Sequence, residues 1–296
     1  MIRPPYLQAG DTIALVAPAR KIEREKVAAA VQLIEAWGLK VLVDERLFAE
    51  EHQFAGSDDN RASLIQDMLN NTQVKALICV RGGYGSVRLL DKLNLNHTPP
   101  KWLVGYSDVT ALHAYFQHNG WQSLHATMPI NMIEVKDGVS ESNELLRQAL
   151  FGEVQAIPFK AHPFNRIGKA EGELCGGNLS VLYSLLGSAD QPDTKGKILF
   201  LEDLDEYLYH IDRMLMALDR AGMFQNLAGL VIGGMTDMND NTIPFGYSAE
   251  ESIHRIVSKY RFPVYYGIEA GHLSLNRPMV FGANYQIDES GMRLSH

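Results

Sequence analysis

Short apolar runs separated by stretches of helical period dominate the first half of this chain, and that alternation restricts its fold more than any other feature. Residues 12–17, 40–43, 76–80 and 102–104 read as strands. Between the first two, residues 21–37 carry Val27, Val31 and Ile34 at helical spacing, with Gly38 just past the end. Ser57-Asp-Asp-Asn60 opens another helix, its acidic residues in the first turn where the helix dipole favours them. A helix around residues 87–93 and a strand near 122–124 continue the pattern. Strands spaced by helices pair in parallel through crossover connections. The N-terminal half is therefore predicted to be an open, doubly wound α/β sheet.

Gly152, Pro158 and Pro163 punctuate the region where this alternation weakens. A linker is expected over 151–170, between an N-terminal domain at 1–150 and a C-terminal domain at 171–296. In the latter, Gly176-Gly-Asn-Leu179 is expected to start a helix that runs through Val181, Leu182 and Leu185 to Gly187. Residues 197–201 read as a strong strand, and 206–220 as an amphipathic helix carrying Leu208, Ile211, Leu215 and Leu218. Further strands are expected at 227–232 and 263–266, with short strands and turns over 279–294. The smaller C-terminal domain is thus mixed and β-rich.

Composition removes several classes of function. The 296 residues are 46% hydrophobic, enough for a large core. Net charge is −8, from 27 basic and 35 acidic residues without a basic run, which excludes nucleic acid as a partner. Cys79 and Cys175 belong to no Cys-x-x-Cys pair, so neither a disulfide framework nor a zinc site is expected. Metal catalysis finds no His-Glu-x-x-His, and His113 and His118 fall on different faces of a helix. No cofactor is expected. The N-terminus lacks a signal-peptide core and no stretch is long enough to span a bilayer, so a soluble cytoplasmic protein without a membrane partner is expected.

Chemistry concentrates in three places. Ser107 falls at a turn between the strand at 102–104 and a helix predicted over 108–117. There it is either a helix cap or a nucleophile facing the N–H groups of the next turn. Arg81-Gly-Gly-Tyr-Gly-Ser86 follows another strand. It matches neither the P-loop nor the dinucleotide fingerprint, having no Gly-Lys-Ser/Thr ending and Arg88 where a glycine is needed. That loop is a tight turn, or a second N–H donor beside Ser107. Glu202 follows the strand at 197–201, where active-site residues of α/β sheets emerge. With Asp203, Asp205 and Glu206 it can equally solvate a helix start. His272 lies in the polar loop Glu269-Ala-Gly-His-Leu-Ser-Leu-Asn-Arg-Pro278, as a surface residue or as the base of a triad.

Val16-Ala-Pro-Ala19, Phe54-Ala-Gly56 before a helix with Arg61, Arg81-Gly-Gly-Tyr-Gly85, Gly105-Tyr-Ser-Asp108, Gly176-Gly-Asn-Leu179, Leu201-Glu-Asp203 and Gly271-His272 occur in that order. Together they resemble the LD-carboxypeptidase family of serine peptidases. The resemblance implies an N-terminal α/β domain with nucleophile Ser107, and a C-terminal domain with general base His272 and its orienting carboxylate Glu202. It implies oxyanion donors at Asp108 and the Gly82–Gly83 stretch, a murein peptide substrate and a homodimer. Arg81, with Tyr84, is the candidate for the substrate's terminal carboxylate. The turn lacks the second glycine of the α/β-hydrolase elbow, so that fold is not implied. Two other functions stay open: hydrolysis of acyl-nucleotide antibiotic conjugates by the same triad, and non-catalytic binding of a small molecule between two lobes.

Overall fold

Strand β1 (Thr12–Val16) pairs in parallel with β2 (Lys40–Leu42) on one side and β3 (Val74–Cys79) on the other. β4 (Trp102–Gly105) and β5 (Ser123–His125) extend the sheet beyond β3, again in parallel. This computed structural model describes residues 1–96, 98–153 and 156–295. The connections are α1 (Arg24–Ala36), α2 (Asp58–Asn70), a 3-10 helix over Ser86–Lys92 and α3 (Thr110–His118); α4 (Pro129–Met132) and α5 (Val139–Leu150) follow β5. Ser57 caps α2 by accepting a hydrogen bond from the Asn60 N–H. Ile13 to Val16 and Ala76 to Cys79 are almost wholly buried on both faces, as strands of a covered parallel sheet are. Strand order reverses between β1 and β3, and the crevice beyond such a reversal is where open α/β sheets bind ligands.

The second unit is built on β7 (Ala170–Asn178), β8 (Ile198–Leu204), β9 (Gly229–Thr236) and β10 (Val264–Tyr265), all parallel. Alongside them lie α6 (Leu179–Ser184), α7 (Leu208–Arg220) and α8 (Ala249–Val257). Ile211, Met214, Leu215 and Leu218 put one face of α7 into a core shared with Leu199, Leu201, Leu230 and Ile232. β12 (Asn284–Asp288) and β13 (Gly291–Leu294) join β7 antiparallel, and β6 (Ile157–Pro158) closes that edge. The fold is thus α/β with two sheets, the second mixed and β-rich.

One unit comprises Met1–Gln155 with Ser274–Val280, the other Ala156–Leu273 with Phe281–His296. β11 (Met279–Phe281) accordingly joins the first sheet, beside β5. The stretch expected as a linker contributes β6 to the second sheet. Three local expectations need correction. Gly176 and Gly177 lie within β7, and Asn178 both ends that strand and caps α6 by accepting the Val181 N–H at 3.1 Å. That helix stops at Ser184 rather than Gly187. A Cβ at Gly176 would fall 2.0 Å from the Phe200 carbonyl oxygen, so glycine lets the strands approach. The strand expected to stop at Leu201 runs to Leu204, because Glu202 and Asp203 are buried rather than solvating a helix. The helix expected near 87–93 is a 3-10 helix.

Candidate active site

Ser107 has a φ of +64°, a left-handed conformation that a residue with a Cβ adopts only under constraint, at a cost of roughly 1–3 kcal/mol. Extended Tyr106 precedes it, and a 3-10 turn over Ser107–Val109 leads into α3. Tyr106 alone separates the strand from the 3-10 turn, and Ser107 is half-buried. Beneath the turn, buried His113 holds the end of β4. Its Nε2 lies 2.9 Å from the Gly105 carbonyl oxygen and its Nδ1 2.8 Å from the Ser123 hydroxyl. A carbonyl only accepts, so Nε2 carries the proton and Nδ1 accepts from Ser123. Burial pushes the imidazole pKa down to about 4, which keeps it neutral.

The glycine loop lies against this turn. A Cβ at Gly82 would come within 3.1 Å of the Ser107 Oγ and 3.3 Å of the Asp108 nitrogen. Gly82 is therefore small for the sake of space at Ser107, whereas Gly83 and Gly85 have φ of +114° and +141° and are glycine for conformation. The buried Asp108 carboxylate accepts the Ser86 N–H at 2.8 Å and so fixes loop to turn; burial holds its pKa above the usual carboxylate range. Arg61, 1% exposed, ties the same loops from behind. It donates to the Gly56 oxygen at 3.3 Å and the Gly85 oxygen at 3.1 Å, and also to Pro18 and Asp58.

Arg81 is half-buried and donates to the Lys21 carbonyl at 3.0 Å. Burial, and then the neighbouring Arg20, depress its pKa, so an anion bound there would relieve both penalties. A Cβ at Gly83 would strike the Arg20 side chain, which itself reaches Gln53. The ring of Tyr84 is exposed and tilted against Phe54, 6.1 Å between centroids.

The second unit brings Glu202 and His272 together. His272 Nδ1 lies 2.6 Å from Glu202 Oε2, and the His272 backbone N–H donates to the same oxygen at 3.2 Å. Glu202 is fully buried and the His272 side chain is 12% exposed. With the Nδ1 proton turned to the carboxylate, the neutral ring offers its lone pair at Nε2. Burial alone would lower the His272 pKa, but Glu202 outweighs it and the net shift is upward.

Backbone irregularity creates this pair. Between Leu201 and Asp203 the β8–β9 register shifts: Leu201 faces Ile232 but Asp203 faces Met235, so β9 bulges at Gly233–Gly234 opposite Glu202. The Gly234 N–H donates to the Ala270 oxygen at 3.0 Å, and Thr236 Oγ1 to the His272 oxygen at 3.2 Å. Gly271, at φ +96°, comes so near that a Cβ would sit 2.6 Å from Glu202 Oε2. Asp203 faces the other way, accepting from Asn178 Nδ2 at 2.8 Å and the Ser180 N–H at 3.0 Å; burial and adjacent Glu202 push its pKa up to about 7.

Sequence reading singled out neither the bulge nor His113, Arg61 as a tie, or Arg20 as a neighbour of Arg81. The paired glycines at 233 and 234 were the available sign of the bulge. Trp121 packs edge-on against Phe116 in the first core, and Tyr247 stacks under the Arg255 guanidinium. Among the described residues, no three His, Cys, Asp or Glu side chains are placed to hold a metal ion, and no helix is long and apolar enough to cross a membrane.

The N-terminal domain of the LD-carboxypeptidases matches residues 13–126, and the C-terminal domain of the same family matches 171–287. A probable murein peptide carboxypeptidase of Bacillus subtilis is 34% identical over 95% of this chain and 90% of its own. A muramoyltetrapeptide carboxypeptidase from Oxalobacter formigenes superposes with a TM-score of 0.84 at 26% identity, over 95% of this chain and 96% of the other. The microcin C7 self immunity protein MccF superposes at 0.88 with 20% identity, over 100% and 99% of the two chains, a likeness of fold.

Proposed function

Since this chain belongs to the LD-carboxypeptidase family, we propose that it is a serine peptidase removing the terminal D-alanine from a murein tetrapeptide, at the L,D bond to meso-diaminopimelate. The observation that carries this reading is the 2.6 Å bond from Glu202 to His272 Nδ1, which orients the imidazole with Nε2 as base. Ser107 Oγ attacks the diaminopimelate carbonyl while His272 accepts its proton. The oxyanion takes hydrogen bonds from the Asp108 N–H and an N–H of the Gly82–Gly83 stretch. His272 then returns the proton to the departing D-alanine amine. Water, deprotonated by the same ring, hydrolyses the acyl-enzyme. Arg81, flanked by Tyr84, holds the terminal carboxylate that makes the enzyme a carboxypeptidase. This reading takes the nucleophile from one unit and the base from the other. It places the enzyme in the cytoplasm, as a homodimer, acting on peptides recovered from the cell wall.

Hydrolysis of an acyl-nucleotide conjugate on the same residues is the competing reading, favoured by the likeness of fold to MccF. Parallel assays separate the two: D-alanine release from L-Ala-γ-D-Glu-meso-diaminopimelate-D-Ala, and release of the amino acid and sulfamoyl adenosine from an aminoacyl sulfamoyl adenosine. The proposal expects the first to exceed the second by orders of magnitude, and the reverse ranking overturns it.

A further inference from the structure

Arg20 and Arg81 are held side by side at the glycine loop by reciprocal backbone ties. Arg81 Nη1 donates to the carbonyl of Lys21, the residue after Arg20, at 3.0 Å. The Arg20 backbone N–H in turn donates to the carbonyl of Gly82, the residue after Arg81, at 3.5 Å. The Arg20 side chain then runs along Gly83, where a Cβ would lie 2.5 Å from its Cδ and 3.1 Å from its Nε. Gln53 Oε1 accepts from Arg20 Nε at 3.4 Å and Nη2 at 3.3 Å, which sets the plane of the guanidinium. Because Gly82, one residue before Gly83, abuts Ser107, both cations stand near the nucleophile turn.

No carboxylate balances this pair. Among the described residues, no Asp or Glu forms an ion pair with either guanidinium, and the acids of the adjoining segments are engaged elsewhere: Glu23 with Lys26 at 3.2 Å, and Glu50 with Lys21. Arg81 keeps Nε and Nη2, and Arg20 keeps Nη1, as donors without a protein acceptor among the described residues. Like charges side by side, with donors to spare, call for anions. Resting on the reaction proposed above, the substrate offers the terminal D-alanine carboxylate and the α-carboxylate that a γ-linkage leaves free on D-glutamate. The side-arm carboxylate of diaminopimelate shares its carbon with an ammonium group, which a pair of cations repels. The D-glutamate carboxylate is a bare anion. It lies about ten bonds from the terminal one, a span of at most ~12 Å, with the scissile amide between them. The anion nearer the scissile carbonyl falls to Arg81, which adjoins Gly82, and the farther to Arg20, reached through Gly83.

We propose that Arg20 is a specificity-determining residue that binds the free α-carboxylate of the substrate's γ-linked D-glutamate, while Arg81 holds the terminal carboxylate. The enzyme therefore selects the acidic peptide over the form in which that carboxylate is amidated to D-isoglutamine.

The test compares L-Ala-γ-D-Glu-meso-diaminopimelate-D-Ala with the same peptide amidated at the D-glutamate α-carboxylate, using wild type, Arg20→Met and Arg20→Lys. Arg20 is exposed, so both variants should keep the wild-type melting temperature. Wild type is expected to show a KM at least ~10-fold higher for the amidated peptide, the scale of one hydrogen bond to a charged group. Arg20→Met should raise KM for the acidic peptide by a similar factor, leave the amidated peptide nearly unaffected, and change kcat by less than about twofold. Arg20→Lys, which keeps the charge without the fork, should fall between the two. Equal KM values for both peptides with wild type, or an equal rise for both in Arg20→Met, overturn the role and leave the reaction standing. A peptide amidated at its C-terminus is the control. Arg20→Met should stay as sensitive to that change as wild type, and loss of this sensitivity assigns Arg20 to the terminal carboxylate, against the proposal. If wild type cleaves neither peptide, the reaction is wrong, and calorimetric titration of both peptides into wild type and Arg20→Met decides the role. A preference for the acidic peptide that disappears in Arg20→Met supports it, and a preference that is absent or unchanged overturns it.

Discussion

Glu202 Oε2 receives both the ring Nδ1 and the backbone N–H of His272, so one buried oxygen fixes the orientation and the tautomer of the imidazole. The pKa of this ring is raised above its ordinary 6.5, and the proposed role as base requires the neutral ring. The acid limb of kcat/KM is therefore expected above pH 6.5. In Glu202→Gln the carboxylate that favours the imidazolium is gone, so that limb moves to lower pH. kcat should fall by roughly 10⁴, as for other orienting carboxylates of serine triads. A pH–rate profile of the two proteins checks both. An unmoved limb would detach Glu202 from the base.

Gly82 and Gly271 make separable predictions. Gly82→Ala puts a methyl 3.1 Å from the Ser107 Oγ and 3.3 Å from the Asp108 nitrogen, the N–H proposed to receive the oxyanion. It should lower kcat by roughly 10²–10³, the value of one oxyanion donor, with little change in melting temperature. Gly271→Ala requires positive φ and drives a methyl against buried Glu202, so it should lose both activity and about 1–3 kcal/mol of stability. Steady-state kinetics and chemical denaturation on both variants distinguish the two behaviours.

Arg81→Met removes the cation proposed for the substrate's terminal carboxylate. KM should rise by ~10-fold or more with kcat largely retained, because a charge-assisted hydrogen bond to the ground state is lost. Amidating the substrate's C-terminus should weaken wild type by a similar factor and the variant hardly at all. Equal sensitivity of both proteins to amidation would remove Arg81 from this role.

His113 predicts an acid-sensitive fold. Its folded pKa is about 4, against an ordinary 6.5, so the unfolded chain takes up the extra proton between these values. The stability it contributes is present above pH 6.5 and lost as pH falls through about 4. The shift corresponds to about 3 kcal/mol. Unfolding free energies from urea titrations between pH 7 and pH 4 should fall by that scale in wild type, and less steeply in His113→Gln.

Much of the first sheet was legible because its strands carry unbroken apolar runs and its helices a clear period. Ser107 was legible for the same reason, standing where one period gives way to the other. β7 was not: Gly176-Gly-Asn178 looks like punctuation, and only the close approach of β8 explains glycines inside a strand. Glu202 was singled out, but its placement inside β8 depends on a bulge in β9, a pairing that neither strand reveals alone. Asp203 looked like a solvating acid, yet partners 23 and 25 residues earlier in the chain, Ser180 and Asn178, bury it. The return of Ser274–Val280 to the first unit follows from sheet pairing and has no local signature.

The most direct test is D-alanine release from L-Ala-γ-D-Glu-meso-diaminopimelate-D-Ala by wild type and Ser107→Ala side by side. The proposed chemistry predicts release by wild type and a fall of roughly a thousandfold or more in the variant, the scale seen when a triad nucleophile is removed. Release that survives the substitution, or none from wild type, would contradict it.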